Sequence, residues 1–208
     1  TVAIPVDFQK FGRIAAQTAK QVIMQRIREA EQGKIYDQYS EKENEVLTAI
    51  VQRIEPKGVY VELGRTEGIL EPSDFMPGEE YHLDDHIKVY VLEVSRQGRG
   101  PQGFVPRTHP GLVKRLFELE VPEIHDGLIV IRKVARVPGE RAKIAVESYD
   151  DRIDPVGACV GVKGARIHGI VRELRNENID VIPYTNNPQL LIQRALSPAK
   201  ISSIRLDD

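Results

Sequence analysis

The sequence predicts an α+β protein built from several small domains, because three different patterns follow one another along its 208 residues. An alanine-containing segment without proline comes first and is typical of a long helix. Short runs of alternating apolar and polar residues follow, separated by glycine and proline, which is typical of β-strands. Beyond residue 109, helical and strand patterns alternate. These changes of pattern set the expected domain boundaries.

The first pattern predicts a helix over residues 7–44. Ile14, Val22 and Ile27 roughly follow helical spacing, and the alanines among them are strong helix formers. Charged residues of both signs occupy the remaining positions, as on a solvated helix face. We therefore assign residues 1–44 to a helical tail that leads into the next domain.

The second pattern, over residues 45–108, predicts a small β-barrel. Five alternating, β-branched runs follow one another within about sixty residues, and closing them into a barrel removes exposed strand edges. Pro106 lies in the last run, which predicts that this strand is short or distorted. The predicted strands are Glu45–Ile54, Gly58–Leu63, Glu67–Pro72, His86–Ser95 and Pro101–Arg107.

The third pattern divides into a complete unit, 109–184, and an incomplete one, 185–208. The first unit reads helix, strand, strand, helix, glycine turn, helix, strand, with Pro110 opening its first helix. The second begins with a helix capped by Asn187 and continues with a predicted strand over 199–207. Because this order repeats the opening of the first unit, we expect a truncated second copy and a sequence that is a fragment.

Composition excludes several classes of protein. No apolar run reaches the length of a membrane span, so we expect no membrane partner. The single cysteine, Cys159, allows no internal disulfide and favours a reducing, cytoplasmic location. The net charge of −2 means that any site for a polyanion must be a local patch. We also expect a monomer.

The sequence contains no recognisable catalytic or metal-binding constellation. Its five histidines are scattered, and only His82 and His86 lie four residues apart, in a region where they need not share a face. The paired aspartates occur at predicted turns, where aspartate is common. No nucleophile elbow is present. We therefore predict no enzymatic activity, no cofactor, no metal and no small-molecule substrate.

The stretch GACVGVKGAR, residues 157–166, contains three glycines between two predicted helices. It matches neither G-x-x-x-x-G-K-[ST] nor G-x-G-x-x-G, and a capped helix rather than a strand precedes it. Two glycines in a tight turn allow a close approach to the backbone, and the next helix presents free N–H groups. With Lys163 and Arg166 adding charge, this favours contact with a sugar-phosphate backbone; the alternative is a simple packing corner.

The element order and motifs together resemble known RNA-binding families. Residues 110–184 resemble a KH domain of the bacterial type (type II), and residues 45–107 resemble the oligonucleotide-binding (OB) barrel that is repeated in the largest small-subunit ribosomal protein. The phrases RTHPGLVKRLFELEVPEI, RAKIAV and DPVGACVGVKGARI resemble the NusA family of bacterial transcription factors. The helix around AAQTAKQVIMQRIREAE resembles the one leaving that family's N-terminal domain.

The resemblance implies a set of RNA-binding residues. The GxxG loop of a KH domain corresponds to Gly161, Val162, Lys163 and Gly164. An aromatic residue on the second strand of such barrels stacks on a base, which implies this role for Tyr60. The remaining candidates are cations near these elements or on the KH sheet. Arg166 lies in the first turn after the loop, and Arg141 and Lys143 share one strand face, which contacts either RNA or solvent. Arg99, together with Arg96 and Arg107, either contacts phosphates or belongs to a solvated turn.

The resemblance also implies a function. It predicts a transcription elongation factor that binds single-stranded nascent RNA and RNA polymerase and modulates pausing, termination and antitermination with other antitermination factors. Two alternatives remain open at the level of sequence: a structural protein-interaction module without RNA binding, and an RNA-binding accessory part of an RNA-processing enzyme.

Overall fold

The computed structural model describes residues 12–96 and 100–206. Its first element is one long helix, α1 (Arg13–Ser40). A turn follows the helix, and its last residue, Asn44, has a φ of 68°. The predicted helix over 7–44 is therefore too long at its C-terminal end, and residues 7–11 lie outside the described part. Tyr39 is buried, and its hydroxyl accepts a hydrogen bond from the Arg65 backbone N–H at 2.9 Å, which docks the end of α1 on the barrel.

The barrel consists of one curled sheet of six strands. They are β1 (Val46–Glu55), β2 (Gly58–Glu62), β3 (Glu67–Leu70), β4 (His86–Tyr90), β5 (Glu93–Ser95) and β6 (Gln102–Phe104). Their order in the sheet is β4-β1-β2-β3-β6-β5, so the predicted strand 86–95 is broken into β4 and β5, which form its two edges. Because Val91 donates to the Glu45 carbonyl and Leu92 to the Phe104 carbonyl, both at 2.9 Å, one bent segment closes the barrel.

Alternation along these strands separates an apolar interior from an outer face. Val59 and Val61 of β2 are buried, whereas Tyr60 between them faces outward. A bulge in β1 between Val51 and Arg53 shifts the register, so that Arg53 pairs with Tyr60 on the outer face. Strand β6 ends at Phe104, before Pro106, which confirms the prediction of a short final strand.

The second domain places four helices, one of them very short, on one face of a three-stranded sheet. Strand β7 (Ile129–Val137) is antiparallel to β8 (Arg141–Ser148), and β9 (Asn178–Pro183) is parallel to β8. The helices are α2 (Pro110–Glu120), the short α3 (Pro122–His125), α4 (Pro155–Val160) and α5 (Ala165–Glu173). Their apolar side chains form one core with the buried residues of β7 and β8. The predicted order of elements is therefore confirmed.

The C-terminal segment contains α6 (Pro188–Leu196), as predicted, with Asn187 Oδ1 accepting a hydrogen bond from the Leu190 N–H at 3.1 Å. The predicted strand over 199–207 is wrong for the described residues 199–206, which have no regular structure. A strand needs a hydrogen-bonded partner, and this segment pairs with neither edge of the neighbouring sheet.

The barrel and the second domain share a core. Met76 and Tyr90 of the barrel are buried in the apolar cluster of the second domain. Gly111, at the start of α2, makes room for Tyr90, because a Cβ atom there would lie 2.5 Å from the tyrosine Cζ. The two domains are thus packed against each other rather than joined by a free linker.

Candidate nucleic-acid interface

The GVKG segment forms a tight protruding turn between α4 and α5. Gly161 has φ 78° and ψ 173°, a conformation that is essentially restricted to glycine, and Gly164 is left-handed with φ 79°. Between them Val162 is 84% exposed, and Lys163 is held in a left-handed conformation with φ 52°. The sequence therefore places an apolar side chain and a cation at the tip of a loop with bare backbone on either side.

Helix α5 begins directly after this turn. Its N-cap is Gly164, and no side chain caps the free N–H groups of the first turn. Such groups, together with the helix dipole, attract phosphate oxygens. The turn and the helix end can thus bind a sugar-phosphate backbone without reading base identity.

Arg166 has a bracing position below the loop. Its Nη1 donates to Glu123 Oε2 at 2.9 Å and to the Ala158 carbonyl at 2.7 Å. A Cβ atom at Gly161 would lie 2.8 Å from Arg166 Cγ, so the arginine stem also packs against the loop. These contacts hold the half-buried guanidinium against the domain, and its predicted role in binding RNA stays a prediction.

The reason for a glycine at position 157 differs from the one that its place in the sequence suggests. Its place one turn before the loop suggests a close approach of a base or of backbone as the reason for a glycine here. The N-cap carboxylate of α4 is the neighbour instead: Asp154 Oδ1 accepts from the Val156 N–H at 3.1 Å, and a Cβ at Gly157 would lie 2.6 Å from Asp154 Oδ2. The glycine therefore serves the helix cap.

Apolar side chains lie behind the loop. Ile153, Val156 and Ile167 are partly buried and pack against the core of the second domain. These side chains therefore contribute to the core of the KH domain.

On the barrel, an outer row of side chains crosses four neighbouring strands. Tyr60 of β2 pairs with Ile69 of β3, which pairs with Phe104 of β6. On the other side the Arg53 guanidinium lies 4.3 Å from the centre of the Tyr60 ring. This outer row (Arg53, Tyr60, Ile69, Phe104) offers two aromatic faces and a cation, the combination on which unpaired bases stack.

Arg141 and Lys143 lie on the face of the sheet away from α2, α4 and α5, because the alternating residues Ala142 and Ile144 point into the core. Both side chains converge on Asp180 Oδ2, Lys143 at 3.4 Å and Arg141 at 3.8 Å. Lys143 also donates to the Ser197 carbonyl at 2.7 Å. The structure does not bring this pair together with the GVKG loop, and its role in RNA binding stays a prediction.

The predicted arginine cluster at 96–107 is not a cluster of exposed cations. Arg99 lies outside the described residues. Arg96 is exposed and pairs with Asp37 at 3.3 Å while lying over the Tyr36 ring. Arg107 was expected either to touch phosphates or to be solvated, and both expectations are wrong: it is 1% exposed and bound to the buried Glu79 carboxylate. Its apolar surroundings permit a charge only because that partner is present.

The sequence did not lead us to predict Arg53, Ile69 and Phe104 as neighbours of Tyr60. The signal for them is strand register, which depends on the β1 bulge and on a parallel pairing between β3 and β6. Neither feature has a local signature in the sequence.

Three further features bear on other functions. Burial raises the pKa of the Cys159 thiol to about 12, so it lacks the thiolate that a nucleophile needs. Among residues 12–96 and 100–206, no group of three or more histidine, cysteine or acidic side chains is placed to hold a metal ion. In the same residues, no helix combines the length and apolar character of a membrane span.

Comparison with family models places each part of the chain. Residues 107–184 match the NusA-like first KH domain, residues 40–105 the S1 RNA binding domain, and residues 1–33 the NusA N-terminal domain. The fold and these matches define a chain built from an RNA-binding barrel of the S1 (OB) type and a KH domain.

Curated relatives share this arrangement along the whole chain. The transcription termination/antitermination protein NusA of Bacillus subtilis is 49% identical over 207 residues, covering 100% of this chain and 56% of that protein. The protein of the same name from Thermus thermophilus is 43% identical over 204 residues, covering 98% of this chain and 53% of that protein. This chain belongs to the NusA family, and it spans about half the length of the curated relatives that it matches.

Likeness to solved structures is weak. A multidomain protein with nucleic acid binding domains from Streptococcus pneumoniae is 15% identical, with a TM-score of 0.30, and the match covers 66% of this chain and 43% of that one. This level of likeness supports no conclusion about function.

Proposed function

We propose that this chain is the RNA-binding part of a transcription elongation factor that captures single-stranded nascent RNA. The observation that carries the proposal is the GVKG loop, which presents the exposed Val162 and Lys163 beside the uncapped N-terminus of α5. KH domains use such a loop to clamp about four nucleotides of backbone.

The barrel adds a second contact of a different kind. Its outer row of Arg53, Tyr60, Ile69 and Phe104 provides stacking surfaces rather than phosphate ligands. OB barrels bind oligonucleotides on the face of strands 2 and 3, where this row lies. One RNA strand can therefore contact both domains, backbone at the loop and bases at the row.

The wider role follows from the relatives. Both are named as a transcription termination/antitermination protein. A factor that acts on termination must act on the transcribing enzyme, so we propose RNA polymerase and other antitermination factors as partners. We further propose that the chain acts as a non-enzymatic, cytoplasmic monomer without a cofactor. Co-elution with bacterial RNA polymerase and sedimentation analysis test the partner and the monomeric state.

The central test measures binding of single-stranded RNA as a function of salt concentration. Each phosphate contact in single strands contributes a slope of about −0.7 in log K against log salt. The double variant Val162→Asp, Lys163→Asp is expected to bind more weakly, with a shallower slope. Weakening with an unchanged circular-dichroism spectrum supports the loop as the contact.

A matched control separates a local effect from net charge. Lys20→Asp with Ile23→Asp makes the same change of charge on the exposed side of α1. Equal loss in both double variants contradicts a local site at the loop. No RNA binding by the parent chain at low salt leaves only a protein-interaction module, and RNA cleavage in the presence of Mg²⁺ contradicts a non-enzymatic role.

A further inference from the structure

Helix α5 connects the GVKG loop to the barrel. Its N-terminus follows the GVKG loop, and its C-terminus, about 13 Å away at 1.5 Å per residue, reaches the barrel. A rigid helix of this length transmits any constraint at one end to the other. The contacts at its C-terminal end are therefore informative about how the loop is held.

Those contacts form a network of four charged residues, which we call the α5 clamp: Glu79, Arg107, Glu173 and Arg175. Arg107 binds Glu79 in bidentate fashion, Nε to Oε2 at 2.9 Å and Nη2 to Oε1 at 2.8 Å. The same guanidinium donates to Glu173 Oε1 at 3.2 Å and to the Glu173 carbonyl at 2.9 Å. Arg175 donates from Nε to Glu79 Oε1 at 3.3 Å.

The clamp also attaches to the edge of the barrel. Strand β4 is an edge of the sheet, and the backbone N–H of its Lys88 donates to Glu173 Oε1 at 3.1 Å. The Lys88 carbonyl accepts from Arg107 Nη1. The end of α5 therefore supplies the acceptor for the Lys88 N–H, a group that a neighbouring strand would otherwise have to satisfy.

Burial makes this attachment hard to release. The side chains of Arg107 and Glu79 are 1% and 0% exposed. Separating the domains would therefore leave this buried ion pair without its further partner, Glu173. Arg136 and Glu177, both 0% exposed, form a second bidentate pair nearby, and Arg136 Nη1 also donates to the Arg107 carbonyl at 2.9 Å. The boundary between barrel and KH domain is thus a network of directional bonds as well as an apolar contact.

From this geometry we infer that the α5 clamp sets the distance and orientation between the GVKG loop and the outer row of the barrel, so that one RNA strand must fit both. Glu173 and Arg175 are positioning residues in this scheme, since neither lies at a proposed RNA contact. The inference rests on the proposed RNA-binding function. Its physical consequence is avidity: two weak contacts on one strand reinforce each other only when their geometry permits both at once.

The test uses a variant that removes contacts between the end of α5 and the barrel but leaves no buried charge without a partner. Glu173→Ala with Arg175→Ala leaves the Arg107–Glu79 pair intact and keeps the net charge. Arg28→Ala with Glu29→Ala, on the exposed part of α1, is the matched control. The single variant Glu173→Gln retains the acceptor for the Lys88 N–H and serves as the conservative rescue. Should the double variant unfold, Arg175→Ala alone replaces it.

Binding is measured with oligouridylates of two lengths. One of about 4 nucleotides reaches a single site, and one of about 20 nucleotides can span both. We expect the double variant to lose about tenfold in affinity for the long probe and nothing for the short one, with Glu173→Gln close to the parent. A purely structural defect lowers both affinities together.

A second readout does not involve RNA. Paired labels on Lys57→Cys in the barrel and Ala165→Cys beside the loop report their separation, and the buried Cys159 does not compete for label. The parent is expected to give one narrow distance distribution and the double variant a broad one.

Two results overturn the inference: an unchanged distance distribution in the double variant, or a broad one with undiminished affinity for the long probe. Failure of the parent to bind either oligouridylate removes the proposed function and with it the role in RNA register. In that case the label distances still decide whether the clamp fixes the loop relative to the barrel.

Discussion

Tyr90 of the barrel stacks on His109 of the KH domain, with ring centres 4.6 Å apart and planes only 9° from parallel. His109 is also the N-cap of α2, because its Nδ1 accepts the Gly111 N–H at 3.0 Å, and its carbonyl accepts from Arg136. This single imidazole therefore joins the stacking between domains to the start of a helix, and the cap requires that Nδ1 carries no proton.

The first prediction concerns pH. Burial, and then the charge of Arg136, lower the pKa of His109 below its ordinary value of 6.5. The unfolded chain thus binds a proton more readily than the folded one below pH 6.5, so the stabilising effect of the neutral ring is complete above that pH and declines as the pH falls below it towards the folded-state pKa. Denaturant midpoints measured between pH 7.5 and pH 5 are expected to fall with decreasing pH.

The variant His109→Asn retains a side-chain acceptor for the cap but does not titrate. Its stability is expected to be lower at neutral pH and flatter across the acidic range. His86→Asn, at an exposed position, is the control and should keep the parent slope. Identical slopes for the parent and His109→Asn would show that another group causes the pH dependence.

The second prediction concerns Arg107. The change Arg107→Ala leaves the buried Glu79 carboxylate with only Arg175 and the Tyr81 hydroxyl as partners. Breaking one side of a buried pair typically costs about 3–5 kcal/mol of unfolding free energy. Arg96→Ala removes an exposed pair with Asp37 and is expected to cost less than about 1 kcal/mol. Chemical denaturation of both variants compares the two losses, and equal losses would contradict the buried network.

The third prediction separates stability from RNA binding at the loop. Lys163 has φ 52°, a conformation that costs a non-glycine residue about 1 kcal/mol, so Lys163→Gly should unfold at the same or a higher denaturant concentration. Its RNA affinity should nevertheless fall, with the salt slope reduced by about 0.7. Lys57→Gly, in a turn without positive φ, should lose stability and keep its RNA affinity. A loss of both properties in Lys163→Gly would mean that the lysine acts through folding.

The fourth prediction concerns the outer row. Tyr60→Ala and Phe104→Ala are each expected to weaken RNA binding by about 1–3 kcal/mol, because each removes a stacking face. Tyr149→Ala removes an aromatic ring that is 65% exposed on the KH sheet, away from the row, and should have no effect. Anisotropy titration with labelled RNA measures all three, and full affinity in Tyr60→Ala would exclude the barrel row as a contact.

Local sequence signals predicted the KH elements well because each depends on neighbouring residues. Proline at the first position of α2, the Asp154 cap of α4 and the glycines of the GVKG turn all act within one helical turn. The family resemblance then supplied the order of domains. The broken strand at 86–95 was missed because its bend is imposed by barrel closure, a condition that involves β1 and β6 together.

The residues of the candidate site also divide into those that local sequence predicted and those that only tertiary contacts placed. The sequence by itself determined the GVKG turn, the outward position of Tyr60 and the overall α+β order, since backbone conformation and alternation are encoded within a few residues of each position. The RNA-binding roles of these residues were implied by the family resemblance. Only the tertiary structure decided that Arg107 is buried, that Arg166 braces the loop, and that Arg53, Ile69 and Phe104 lie beside Tyr60. The physical reason is that an arginine has the same local preferences whether it meets solvent, phosphate or a buried carboxylate. Its partner, up to 66 residues away for Arg107 and Glu173, makes the difference.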